Sequence, residues 1–401
     1  MTRHIVVVHR WRAPYAEYER YVDHGRTSVT YVTTEVGRDG VPASAAGVEL
    51  VAATDDLPAV RAAVLRLAAR HGAPDGIVAL KEDDLLVGAE LRREWGCPGP
   101  TVAETVPFRD KLAMCTAVAE AGVAVPAFAP APDRAAVLAF AAAHGWPVVV
   151  KPKASSSSAG VVVAHGPADV RAADVTPDCM VQKFQPGTIY QVDGVFDGSR
   201  VVTARASRYL QTCLEFRQGS VLGLVQEDDP RAQELLYSLT ERAMRALAGK
   251  PTVFHLEAFL DGDACAFLEV GARTSGGEIP FLWREVHGYD LMAAGWAVAL
   301  GEEPPEPPAD LGDYTGELLA PAPARRPCRV LSVTSMLGTV PCLYAEDLVQ
   351  PGEVLPDADA YYEHVGGRFR FRGTSSAEIA AAVDAVAAAY RVTAEPLSSA
   401  A

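Results

Sequence analysis

The sequence predicts an α/β protein built of several packed units, the later ones mixed α+β lobes. Three observations carry that expectation. Near the start, short apolar strands alternate with helical stretches, the pattern of a parallel sheet with crossover helices. Farther on, two apolar strands flank the serine-rich loop 155–160, and Lys151 ends the first of them. Later still, two strands joined by the tight turn 261–263 each carry a glutamate, Glu257 and Glu269. A chain of 401 residues is in any case too long for one ordinary core.

The elements follow in order. Apolar runs at 5–8, 29–33, 48–51 and 76–80 read as strands, with a helix over 57–71 between the last two. A further helix is expected over 83–95, completing a parallel α/β domain at 1–104. No GxGxxG follows the first strand, so a dinucleotide site is not supported. A helix over 108–121 ends at Gly122, and Asp133 caps another that runs to His144. The strand 148–151, the serine loop and the strand 161–163 complete a unit at 105–186. Strands over 180–209, a helix over 230–248, strands at 254–260 and 264–270 and a helix over 291–300 make a third unit, 187–320. The proline-rich stretch 301–327 reads as a linker or extended crossing. A C-terminal subdomain, 321–401, is expected to hold strands at 329–335 and 368–372 and a helix over 376–389, with fraying from Glu395 onward.

Composition excludes several functions. Hydrophobic residues make up 49% and charged residues 22%, a soluble globular profile. A net charge of −15 argues against a nucleic-acid partner. No export signal and no stretch of about 18 apolar residues is found, so a cytoplasmic protein without a membrane span is expected. The seven scattered cysteines form no CxxC pair, which points to free thiols in a reducing compartment rather than disulfides or a cysteine metal site.

One constellation carries chemistry. Nucleoside triphosphate chemistry needs cations for phosphates, a covering loop and carboxylates for magnesium. No GxxxxGK[ST] loop occurs. Instead, Lys111 lies on a helix, and Lys151 ends a buried strand, where an ammonium costs desolvation energy unless an anion meets it. The loop with Ser155, Ser156, Ser157, Ser158 and Gly160 follows at once, its N–H groups free to wrap phosphate oxygens. Glu257 and Glu269 are neighbours on one face if their strands pair antiparallel, an arrangement of like charges that a cation between them would settle. Arg273 lies four residues beyond Glu269, close enough to meet a moving phosphoryl group.

In this order, these pieces resemble the ATP-grasp superfamily. The run 180–184 with Gln182, Lys183 and Phe184 resembles that family's adenine-holding hinge, and the 271–280 run is most similar to carboxylate–amine ligases of the L-amino acid ligase kind. The resemblance implies an ATP-grasp fold with an N-terminal parallel α/β domain, and ATP and Mg2+ as cofactors. It gives Lys111, Lys151, the 155–160 loop and the hinge to ATP, Glu257 and Glu269 to metal, and catalysis to Arg273. It further implies amide or peptide bond formation between a small carboxylic acid and an amine, through an acyl phosphate, in specialised metabolism. Homodimers are common in the family, so a second copy of the chain is an expected partner.

The sequence departs from the family at Gly271, where asparagine is usual, and at Ile189, where glutamate often contacts ribose. The Glu-His pair that biotin carboxylases carry after the arginine is missing. Other acyl-phosphate reactions (carboxylation, thioester formation, carrier loading) and a degenerate nucleotide-binding protein stay open as alternatives. His255 is either a core histidine or a site residue. Trp283, Arg284, Glu285 and His287 either line a pocket or pack a helix, and Arg205, Arg208 and Arg217 are candidates for a substrate carboxylate.

Overall fold

A computed structural model describes residues 2–11, 15, 17–309, 312–357 and 364–397. Strands β1 (His4–His9), β2 (Ser28–Thr33), β3 (Gly47–Leu50) and β4 (Gly76–Ala79) form a parallel sheet in the order β3-β2-β1-β4. Valines 6 and 8 of β1 point into a core with helix α1 (Leu57–His71), while Ile5 and Val7 point to the opposite face. Helix α2 (Leu85–Trp95) joins α1 on the first face; the expected start at 83 is instead a short 3-10 turn, Glu82–Asp84.

After α3 (Val102–Thr105) and α4 (Lys111–Glu120) comes a small antiparallel sheet, β5-β8-β6-β7, covered by helices. Its strands are β5 (Phe128–Pro130), β6 (Val148–Pro152), β7 (Val162–Ala164) and β8 (Cys179–Lys183), with α5 (Arg134–His144) and α6 (Pro167–Ala172) packed on it. The next elements are β9 (Thr188–Asp197), β10 (Val201–Tyr209), α7 (Cys213–Arg217), β11 (Leu222–Gln226) and α8 (Pro230–Leu247). Then come β12 (Pro251–Asp261), β13 (Ala264–Gly271), α9 (Ile279–Glu285) and α10 (Leu291–Ala299). Met292, Trp296 and Ala299 of α10 cover the Ile5–Val7 face of the first sheet, so that sheet is buried on both sides.

The proline-rich stretch holds a correction. Prolines at 304–308 keep the chain extended, but β14 (Tyr314–Pro321) is a strand with Thr315 to Ala320 buried. It carries only one proline, at its end, so its interior can donate to a ladder. The large sheet therefore continues as β13-β12-β9-β10-β11-β14-β18-β16, every neighbouring pair antiparallel. Strands β15 (Cys328–Val333), β16 (Leu343–Leu348), β17 (Val354–Leu355), β18 (Val365–Gly373) and β19 (Val392–Pro396), with α11 (Ser376–Ala389), complete the chain. Residues Glu395 and Pro396, expected to fray, pair with Arg329 and Cys328 of β15, and residues 398–401 lie outside the described ones. Among the described residues, no helix is long and apolar enough to cross a membrane.

Candidate active site

The two glutamates are placed by strand register. In β12, Leu256 and Ala258 are fully buried under α4 and α8, so Glu257 between them must face the other way. The turn at Gly262, which adopts φ +56, pairs β12 with β13 so that Glu257 stands directly opposite Glu269. A bulge immediately after Glu257 keeps this pair in step. β9 continues the surface on the other side, putting Gln191 beside Glu257 and Asp193 beside His255.

Lys111 and Lys151 converge on Glu269. Asp110 caps α4 by accepting from the N–H groups of Leu112 and Ala113, and the N–H of Lys111 bonds to the carbonyl of Lys153, just past β6. The Lys111 ammonium lies 3.7 Å from Glu269 Oε2 and that of Lys151 lies 4.0 Å from it. Both lysines are nearly inaccessible, at 6% and 4% exposure. Burial lowers the Lys151 pKa, with the Glu269 charge opposing it. Two buried cations sharing one carboxylate leave positive charge unmatched, which favours an anion.

The serine loop leans on its neighbours. Lys111 Nζ donates to the Ser155 carbonyl at 2.7 Å, Ser156 Oγ donates to Asp83 Oδ2 at 3.1 Å, and Arg217 Nη1 donates to the Ser157 carbonyl at 3.4 Å. Ser157 and Ser158 hold φ of 52° and 57°, a region non-glycine residues occupy at a cost, and Gly160 follows at 72°.

Burial would raise Glu257, but hydrogen bonding to His255 and the histidine's charge outweigh it and hold the carboxyl below its ordinary pKa. Burial likewise opposes protonation of His255, and Asp193, 2.9 Å from its Nδ1, overrides that to lift the imidazole to about 9. His255 is thus a charged link between Asp193 and Glu257, and Tyr209 donates to Glu257 at 2.9 Å.

Arg273 is gripped from the N-terminal sheet. Its Nε and Nη2 reach Glu82 Oε2 at 2.7 and 2.6 Å, while Arg109 takes the other oxygen of Glu82 at 2.7 Å. Burial alone would raise Glu82, but Arg273 first and Arg109 next push its carboxyl down to about 2. Glu82 lies just past β4, at the carboxyl end of a parallel strand, where open α/β sheets place ligands. That position, in the acidic run 82–84, was the available signal for a residue that reading by motif passes over.

One cleft of about 550 Å³ is lined among others by Ser156, Glu257, Glu269, Arg273, Glu317 and Arg368; Lys111 and Lys151 lie behind its lining, against Glu269. The hinge residues lie apart from its lining. Lys183 Nζ donates to the carbonyls of Gly145, Trp146 and Pro147 at 3.1, 3.1 and 3.3 Å, and Phe184 is 38% exposed. Gln182 is buried with its Nε2 unpartnered, an orphaned donor. The residues beyond the glycine turn pack rather than line the cleft. Trp283 is in the core, His287 bonds Thr315, Arg284 pairs with Glu17, and Glu285 pairs with Arg370. Of the three arginine candidates, only Arg217 touches the serine loop, and none belongs to the cleft lining.

Nearly the whole chain superposes on known proteins. It matches the L-amino acid ligase of Bacillus licheniformis with a TM-score of 0.75 at 16% identity, covering 98% of each chain. The chain has the ATP-grasp fold. A second structure with this fold, the biotin carboxylase–β,γ-ATP complex of Campylobacter jejuni, matches with a TM-score of 0.69 at 15% identity over 98% of this chain and 92% of that one. By sequence, 110 residues are 29% identical to the L-arginine-specific L-amino acid ligase of Bacillus subtilis, 27% of this chain. The matched stretch spans 26% of that relative's length. No family model matches the chain.

The residues present fit ATP and magnesium. Two buried ammonium groups stand beside Glu269; Ser156, Ser157 and Ser158 of the loop line the cleft; and the hinge strand carries an orphaned donor outside that lining. Among the described residues no cluster of three or more metal-ligating side chains exists, so a magnesium ion beside Glu257 and Glu269 would have two protein carboxylates and would need phosphate oxygens and water to complete its shell.

Proposed function

We propose that this chain is an ATP-dependent carboxylate–amine ligase that forms an amide or peptide bond through an acyl phosphate, releasing ADP and phosphate. One observation carries the reading: the cross-strand pair Glu257–Glu269 faces two buried lysines, with Arg273 at the end of the same strand. The substrates are a small carboxylic acid and an amine of amino-acid type, in line with the two L-amino acid ligases that the chain resembles. Cys97, Cys115, Cys179, Cys265, Cys328 and Cys342 carry free thiols, which suits a cytoplasmic setting. The units 1–104, 105–186, 187–320 and 321–401 form the walls of the cleft in this reading.

Each residue has a task. Lys111 and Lys151 hold β- and γ-phosphate oxygens, and the 155–160 loop closes over them to exclude water. Glu257 and Glu269 would hold magnesium, which when bound would neutralise charge on the phosphoryl oxygens. His255 and Tyr209 keep Glu257 ionised and aimed. Arg273 donates two parallel bonds to the phosphoryl oxygens as they reach the substrate carboxylate, and Glu82 fixes the plane of its guanidinium. A screen for ADP and phosphate release over amino acids and small carboxylic acids, singly and in pairs, tests the reading. Release that requires an acid and an amine together supports it; no release with any pair overturns it.

A further inference from the structure

Beyond the phosphate end, the cleft is walled by β14, β18 and β16. Glu317 of β14 stands there at 4% exposure, opposite Arg370 in the ladder. Yet Arg370 turns away, to Glu278 at 3.3 Å and to Glu285 at 2.6 Å. Arg368, the other arginine of this wall, lies 3.8 Å from Glu278 and donates to the Tyr15 hydroxyl. Among the described residues Glu317 forms no ion pair: one oxygen accepts from the Glu278 N–H, and the other has no donor. Leaving a carboxylate so placed is costly unless something else uses it.

Its position is set by a glycine. A Cβ on Gly277, which adopts φ +61, would lie 2.5 Å from Glu317 Oε1. Glu317 therefore occupies the space that a side chain at 277 would fill, four residues after Arg273 on the turn that bounds the cleft.

We propose that the Glu317 carboxylate takes the proton that the amine nucleophile must lose before it attacks the activated carboxyl carbon. The inference rests on the ligase reading above. The ammonium gives one proton to Glu317 and keeps its lone pair for the carbon. As the C–N bond forms, the C–O bond to the phosphoryl group breaks, and phosphate leaves with that electron pair. The second nitrogen proton goes to the departing phosphate, leaving the amide, ADP and hydrogen phosphate.

The surroundings make Glu317 a proton acceptor near neutral pH. Burial first, then the charges of Glu278 and Asp193, push its carboxyl up to about 8 against the pull of the Glu278 N–H and Arg368. The other titratable groups on the elements packed here are Asp347 of β16, Tyr15, which bonds Glu278, and Arg370 of β18, which is turned to Glu278 and Glu285. A base with a pKa near that of the working solution is efficient, and proton transfer of this kind contributes about 10²–10⁴ in rate.

Hydroxylamine separates the steps, because it is already neutral at pH 7 and captures an acyl phosphate without a base. The wild type and Glu317→Gln are assayed with Mg-ATP and L-amino acids in pairs, and in parallel with hydroxylamine as the only nucleophile. We expect the variant to lose about 10²-fold in amide formation and to keep hydroxamate formation within about threefold. The wild-type amide rate should level off above about pH 8, while the variant's rate keeps climbing with the free amine. Equal losses in both arms, or none in either, would overturn the inference. If Glu317→Gln does not fold, Glu317→Asp takes its place; it should slow only the amide arm and keep the levelling, and wild-type rates in both arms would count against the proposal. Wild-type protein that makes no hydroxamate from any acid would instead overturn the ligase reading, and this inference with it.

Discussion

Glu82 and Arg273, 191 positions apart, form a two-point ion pair that ties the N-terminal sheet to the end of β13. The pair is nearly buried, with side chains 12% and 16% exposed, and Arg109 shares its carboxylate. With Nε and Nη2 on Glu82 and Nη1 donating to the Thr274 carbonyl at 3.0 Å, the guanidinium is held in one orientation, so the pair sets the direction in which Arg273 can act.

The first prediction follows from that pair. Glu82→Gln keeps shape and loses charge. It should bind ATP normally and lose about 10- to 100-fold in turnover, because Arg273 is no longer held in one plane. Stability carries a separate signature. A carboxyl lowered from 4.5 to about 2 adds stability above its unfolded pKa, and that contribution disappears as pH falls from about 4.5 toward 2. The contribution is about 3 kcal/mol at neutral pH. Acid titrations followed by circular dichroism should show the wild type losing its advantage over Glu82→Gln across that window; parallel curves would contradict the assignment.

The second prediction concerns Lys151. Its ammonium is buried and its pKa lowered, so the charged form costs stability in the absence of an anion. Lys151→Met should leave the free protein as stable or up to about 2 kcal/mol more stable. Mg-ATP should then raise the melting temperature of the wild type and leave that of the variant unchanged. A variant that melts lower and still responds to nucleotide would show that Lys151 serves the fold.

Much of this arrangement was legible in the sequence, and the reason is physical. Lys151, the serine loop, Glu257, Glu269 and Arg273 lie on short stretches whose strand and turn signals are local, so period and spacing locate them. Glu82, Tyr209 and Glu317 reach the cleft, and Asp193 reaches His255 beside it, only through pairings far apart in sequence. Glu317 was further hidden because prolines on both sides of β14 made the segment read as a linker, and edge signals say nothing of an interior that pairs well. The hinge shows the opposite case. Its sequence was noticed, but Lys183 turns its ammonium to three backbone carbonyls, a choice that local pattern does not encode.

A third prediction tests the glycine turn. Gly277→Ala places a methyl group where Glu317 Oε1 now sits, at a positive φ. The cost to stability should be about 1–3 kcal/mol. Amide formation should fall more than hydroxamate formation, since the displaced group is the one that faces the amine. A denaturation midpoint and the two rates, measured on one preparation, decide it; a fully stable, fully active variant would contradict the placement of Glu317.

The most direct test of the account is the phosphate-release rate of Arg273→Lys with the cognate acid and amine. A lysine keeps the positive charge but cannot form the two-point grip on a phosphoryl group or on Glu82. Arg273→Lys should fold, bind Mg-ATP as the wild type does and release phosphate about 10²–10³ times more slowly. Wild-type phosphate release from Arg273→Lys would contradict it.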